Sequence, residues 1–144
     1  MNNEKEFKEK LDKIMENSII ATKTWWGHEY PGYSGIIVTN NKEIYIYQYY
    51  FRVPKEVKEN EKEFWSTYIL KKKDLNDEEF QKIIMFIECE IENKQFTDKM
   101  IFDAGYDLFI NYNGLNMKIQ NNKEHGDNLG IYDKAEMLLN ELLK

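Results

Sequence analysis

The segment from Gly35 to Phe51 reads Gly-Ile-Ile-Val-Thr-Asn-Asn-Lys-Glu-Ile-Tyr-Ile-Tyr-Gln-Tyr-Tyr-Phe. β-Branched and aromatic residues suit a pleated, half-buried surface, so strands are expected at Ile36–Val38 and Ile44–Phe51. Asn40-Asn41 between them suits a tight turn, because Asn tolerates the positive φ that short hairpin connections need. Side chains alternate faces along a strand. Ile44 and Ile46 therefore share one face with Gln48 and Tyr50, and Tyr45, Tyr47, Tyr49 and Phe51 share the other. The isoleucine face is expected to meet helices. The tyrosine face is expected to be only partly covered, since each phenol carries a hydroxyl that wants a partner or water. Ordinary packing competes with any functional reading of these rings.

The rest of the chain supplies helices and more strands. Asn3–Met15 reads as a helix, with Asn3 as cap, Glu6 in the capping-box position and Phe7, Leu11, Ile14 and Met15 as its apolar stripe. Ile19–Trp26 reads as a strand and Gly27–Ser34 as a loop. Arg52–Lys62 is a charged connection, and Phe64–Lys71 alternates as an edge strand ended by Lys71-Lys72-Lys73. Asn76 caps the most clearly marked helix: Glu79 completes the box, Leu75 and Phe80 form a hydrophobic staple, and Ile83, Ile84, Ile87 and Ile91 continue the stripe toward Asn93. Met100–Ala104 and Asp107–Tyr112 are expected strands about a Gly105-Tyr106 turn, and Asn113-Gly114 matches a type I′ turn before Leu115, Met117 and Ile119. Asn121–Asn128 is a polar loop. Asp133 is the expected cap of a last helix carrying Ala135, Leu138, Leu139 and Leu142.

The expected order is α-β-β-β-β-α-β-β-β-α. Short links between strands favour antiparallel pairing, so the expectation is an α+β fold: one domain over 1–144, a largely antiparallel twisted sheet, and helices packed mainly on one face. The 144 residues suit one domain and bury enough surface for a core without staples. A composition 42% hydrophobic and 32% charged fits a soluble globular protein. No apolar run approaches the roughly 20 residues of a membrane helix. The charged N-terminus lacks the apolar centre of a signal peptide, and a lone cysteine, Cys89, allows no internal disulfide. A cytoplasmic location is the natural expectation. The wealth of Lys, Asn, Ile, Glu and Tyr fits an AT-rich bacterial genome, which by itself inflates the tyrosine count.

The net charge of −6 and a single arginine, Arg52, oppose binding to nucleic-acid phosphates. The most distinctive stretch is Trp25-Trp26-Gly27-His28-Glu29-Tyr30-Pro31-Gly32-Tyr33, where two Trp, two Tyr and one of two histidines fall in nine residues. Such loops carry function disproportionately, and Trp and Tyr are favoured interface anchors. Trp25, Trp26, His28, Tyr30 and Tyr33, with Tyr45, Tyr47 and Tyr49, are therefore the candidate binding residues. His28 and Glu29 form the only catalytic candidate, a weak one, because neighbours in an extended segment point apart. His125 and Asp127 share a polar loop, but no metal-binding spacing is present, and no cofactor is implied. Asp103 and Asp107 bracket the Gly105-Tyr106 turn, where Asp suits turn geometry. Glu88, Glu90 and Glu92 make one helix end acidic, against the macrodipole. Cys89 lies among them, where a thiolate is disfavoured.

These features favour a non-enzymatic protein-binding module with a basic partner. In size and charge the chain resembles small acidic bacterial α+β immunity proteins, which bind and neutralise toxins; no motif carries that likeness. The alternative is a small-ligand-binding protein or enzyme whose pocket lies between the tyrosine face and loop 25–33.

Overall fold

The computed structural model describes residues 2–26, 32–50, 68–92, 104–121 and 129–144. Helix α1 spans Asn2–Glu16 and is followed by strands β1 (Ser18–Trp26), β2 (Gly32–Thr39), β3 (Glu43–Tyr50) and β4 (Tyr68–Asp74). Helix α2 (Asp77–Phe86) continues into a π-helical turn at Ile87–Ile91. Strands β5 (Ala104–Tyr112) and β6 (Leu115–Asn121) and helix α3 (Leu129–Leu143) complete the described elements. The strands form one antiparallel sheet in the order β4-β3-β2-β1-β5-β6, so the fold is α+β with a single antiparallel sheet. No helix among the described residues is long and apolar enough to cross a membrane.

Helices α2 and α3 cover one face. Ile83, Ile87 and Ile91 meet Ile20, Ile36, Val38, Ile44, Leu108 and Ile110 of the sheet, and Ile131, Tyr132, Ala135, Leu139 and Leu142 close the core from α3. In an α-helix, residues four apart drift round the axis, so Ile91 would turn away from the sheet. The wider π turn cancels that drift: Glu92 N–H donates to the Ile87 carbonyl at 2.9 Å, and Ile87 and Ile91 are both fully buried. A bulge serves the same core in β1. The register passes from Ser18↔Thr39 to Ile20↔Val38, leaving Ile19 as the extra residue, and the adjacent Ile19 and Ile20 both reach the one cluster.

The capping box of α2 is present as expected. Asn76 Oδ1 accepts from Glu79 N–H at 2.8 Å, and Glu79 Oε1 accepts from Asn76 N–H at 3.0 Å. The Asn113-Gly114 turn has positive φ at both residues, the type I′ signature.

Several local expectations are corrected. In the central hairpin the left-handed residue is Lys42 (φ 62°), not an asparagine. Lys42 N–H donates back to the Thr39 carbonyl at 3.2 Å, making a three-residue connection ending in a left-handed residue. Lys42 is held there because its carbonyl accepts Leu75 N–H at 2.8 Å and its ammonium lies 2.6 Å from Asp77 at the start of α2. The expected loop loses Gly32–Ser34 to β2. Gly105 and Tyr106 are strand residues pairing with Trp25 and Thr24, so no turn interrupts β5 there; long pairing with β1 overrides the local turn signal. Asp133 lies inside α3, because Ile131 and Tyr132 join its buried stripe a turn earlier than the expected cap. Asn3 is likewise already helical. Lys72 and Lys73 lie within β4, which runs on past the expected end at Lys71. Lys73 is built into the fold: its ammonium donates to the Leu142 carbonyl at 2.6 Å, where the C-terminus of α3 favours a cation.

The largest correction concerns the sheet faces. Helix α1 packs on the tyrosine face through Phe7, Leu11, Ile14 and Met15, and Tyr47 and Tyr49 are buried beneath it. The amphipathic stripe of α1 had to be buried somewhere, and the rings offered the remaining apolar surface. On the opposite face Ile46, expected under a helix, is 38% exposed. Residues 27–31, 51–67, 93–103 and 122–128 lie outside the described residues; with them go the expectations at His28, Glu29, Tyr30, Phe51, Arg52, Phe64, Asp103, His125 and Asp127.

Candidate functional site

Among the described residues, a hollow opens on each face of the sheet. The larger, about 440 Å³, lies on the isoleucine face between β2–β4 and α3, and Ser34, Gln48, Ile46, Ile69, Lys71, Glu136 and Asn140 line it. Its groups are mixed in kind and converge on no one chemistry. The smaller, about 220 Å³, lies on the tyrosine face beneath α1. Tyr33, Tyr47, Tyr49 and Phe109 wall it from the sheet, Lys8, Leu11, Asp12 and Met15 close it from α1, and Lys23 reaches into it from β1.

The alternation of the strands builds this second site. In β1, Ala21 and Lys23 face α1, whereas Thr22 and Thr24 face α3. Thr24 Oγ1 lies 3.0 Å from Tyr132 Oη, so the two polar groups satisfy each other within the isoleucine-side core. Lys23 pairs with Asp107 of β5, which puts the two side chains on the same face. Asp107 is buried, and its Oδ2 lies 3.9 Å from the ammonium of Lys118 on β6. The Lys23 ammonium sits over the Tyr33 ring, 4.0 Å from its centroid. Tyr33 stacks on Tyr49 at 5.7 Å with planes 9° apart, and Tyr49 stacks on Phe7 of α1 at 5.5 Å and 11°. A planar column of rings therefore links sheet and helix.

Tyr47 is fixed by an unusual approach of strands. A Cβ on Gly35 would lie 1.9 Å from the Thr22 carbonyl oxygen and 2.8 Å from the Tyr47 hydroxyl. Only glycine lets β2 come this close to β1. The local hydrogen bonds change accordingly. The Tyr47 hydroxyl donates to the Thr22 carbonyl at 3.2 Å, and Ile36 N–H donates to Thr22 Oγ1 at 3.1 Å. Cross-strand pairing sets Tyr47 opposite Gly35, so the ring lies across the space the missing side chain leaves.

Burial sets the acid–base character of the site. It pushes the Tyr47 phenol well above the usual tyrosine range, and nearby Tyr132 and Asp107 add to the rise. Lys23 is held below the usual lysine range, chiefly by burial; Asp107 opposes this, while Lys118 and Lys8 reinforce it. Tyr45 lies away from the cavity: its hydroxyl donates to Glu43 Oε1 at 3.1 Å, and Lys72 donates to Glu43 Oε2 at 2.9 Å. Among the described residues no group of three His, Cys, Asp or Glu side chains converges as a metal ion would need.

Of the sequence candidates, the structure brings Tyr33, Tyr47 and Tyr49 together in this cavity and sets Tyr45 apart. The backbone of Trp25 and Trp26 ends β1, paired with Tyr33 and Gly32. The sequence reading missed Lys23, Phe109 and Lys8 among the residues that line the cavity. A signal was present for Lys23: it is the one charged residue of Ser18–Trp26, at the period-two position of Ala21, and a charge within a strand is a candidate site residue. Set against protein-family models, curated proteins and solved structures, the chain matches none of them.

Proposed function

We propose that the protein binds a small organic ligand in the cavity between α1 and the tyrosine face. The observation that carries this reading is the half-buried Lys23 ammonium inside a 220 Å³ cavity walled by tyrosine and phenylalanine rings. Small-molecule sites combine an apolar, aromatic wall with a few placed polar groups, and this cavity has that composition. Titration of the protein with single-ring fragments, followed by amide NMR, tests it. The expected outcome is shifts confined to Lys8, Leu11, Lys23, Tyr33 and Phe109, abolished in Leu11→Trp, which fills the cavity from α1. Fragments that shift none of these amides overturn the reading.

A basic protein partner is the second reading. The net charge of −6 supports it, as does the exposed Glu88 near the end of α2. The tyrosine face does not support it in this form, because α1 occupies the surface over Tyr47 and Tyr49. Capture of basic proteins that survives Leu11→Trp, and weakens when Glu88 and Glu92 become Gln, is the outcome this second reading expects.

A further inference from the structure

We infer that the ligand of the α1 cavity is a single-ring organic monoanion, such as a small aromatic carboxylate, its charge directed to Lys23 and its ring laid among Tyr33, Tyr49 and Phe109. This inference rests on the reading of the cavity as a binding site.

Three independent features lead to it. The first is size. An apolar cavity of about 150 Å³ holds one benzene ring, and drug-sized pockets run from about 300 Å³ upward. A volume of about 220 Å³ therefore suits one ring with one compact substituent. The second is shape. Tyr33, Tyr47, Tyr49 and Phe109 line the cavity, and because the faces of Tyr33 and Tyr49 are turned to each other, to Lys23 and to Phe7, a ligand meets the edges of those two rings. A planar aromatic ligand packs edge-to-face against such rings, whereas branched aliphatic ones leave gaps.

The third is charge. The molecule is acidic as a whole, yet Lys8 and Lys23 line this cavity against the single carboxylate of Asp12. Asp107 faces Lys23 across β1 and β5 and lies 3.9 Å from Lys118, so one carboxylate is shared between two cations. A cationic ligand would meet the two ammonium groups of Lys8 and Lys23 against one carboxylate, Asp12. A neutral ligand would take water away from Lys23 and give back at most a hydrogen bond to an uncharged acceptor. A carboxylate compensates the desolvated ammonium and completes a charge-assisted hydrogen bond in a low-dielectric setting. The depressed basicity of Lys23 agrees with this, since it shows that the ammonium is short of solvation. One converging ammonium beside a carboxylate suits a monoanion better than a phosphate dianion, which wants several donors at once.

The test compares three ligands of one shape: benzoate, benzamide and benzamidine, titrated by calorimetry and amide NMR against the intact chain. Benzoate is expected to bind about tenfold or more tighter than benzamide, as a hydrogen bond to a charged group predicts, with benzamidine weakest. In Lys23→Met, which keeps the apolar stem, the benzoate preference should vanish while benzamide still binds; Lys23→Arg should restore it. In the unaltered protein, benzoate affinity should also fall as the pH rises through the Lys23 titration, and benzamide affinity should not. Equal binding of benzoate and benzamide overturns the inference and leaves the cavity reading standing. Tightest binding by benzamidine overturns it in favour of a cation site at Asp12. Failure of all three to move the Lys8, Lys23 and Tyr33 amides defeats the cavity reading itself. If Lys23→Met does not fold, the benzoate-to-benzamide ratio and its pH profile in the unaltered chain decide.

Discussion

The two faces of the sheet are built from the same strands but hold different interiors. Under α2 and α3, Ile20, Ile44, Ile83, Ile87, Ile91, Leu108 and Leu139 are all completely buried, and the polar pair Thr24–Tyr132 is matched internally. Under α1, Ala21, Ile37 and Tyr47 form the buried cluster, the residues of α1 are only half-buried, and a lysine and an aspartate share the space with the rings. Close-packed aliphatic cores give stability, since each buried methylene contributes about 0.8 kcal/mol. A face with a cavity, a desolvated ammonium and a thin covering helix gives stability up, and such sites are where ligands bind. On the proposed reading, the division of labour is by face.

The largest expected effect follows from that division. Ile87→Ala removes a fully buried side chain from the aliphatic face and should lower the unfolding free energy by about 2–5 kcal/mol. Leu11→Ala on α1 should lower it by clearly less, because Leu11 is only half-buried and already borders a cavity. Urea unfolding of both variants decides; equal losses would break the contrast between the faces. Gly35→Ala comes next. Its Cβ meets backbone, which cannot swing aside as a side chain would, so a loss of about 1–3 kcal/mol or more is expected, with the β1–β2 register disturbed in amide NMR. Asn76→Ala should cost about 1 kcal/mol, by loss of the α2 cap, and should leave the α1 cavity untouched.

The smallest effect has the opposite sign. Lys23 in the folded chain sits below its unfolded value of about 10.4, so folding there disfavours its charged form. Below the folded pKa both states carry the proton and the penalty is present in full. Between the two pKa values the unfolded chain binds more protons, so stability rises with pH. Lys23→Met should accordingly unfold at a slightly higher temperature than the unaltered protein at neutral pH. The gap should close as the pH climbs through the Lys23 titration toward the unfolded value. A variant that melts lower at neutral pH would show that Lys23 stabilises the fold, and the contrast would lose its functional side.

Much of the architecture was legible in the residues. The Asn113-Gly114 turn, the α2 capping box and the period-two run of β3 are local signals, and each appears where its chemistry places it. The failures share a cause. Gly105-Tyr106 has turn chemistry but lies in a strand, because seven successive β1–β5 pairs outweigh one dipeptide. Asp133 looks like a cap, yet Ile131 and Tyr132 gain more by joining the buried stripe of α3. Lys42 takes the strained turn position because its carbonyl and its ammonium both find partners at the start of α2. The site was half legible. Tyr33, Tyr47 and Tyr49 stood out as aromatics, whereas Lys23 and Asp107 mean little until β1 and β5 set them side by side.

By itself the sequence determined which residues alternate, where α2 begins, and that one strand carries isoleucines on one side and tyrosines on the other. These follow from backbone geometry and short-range hydrogen bonds, which need no distant partner. Only the tertiary structure decided which helix covers which side. That choice depends on the summed burial of whole faces, and a stripe such as that of α1 is compatible with either. From that choice comes the cavity, and with it the reading of Lys23 as a group held out of water for a ligand to meet.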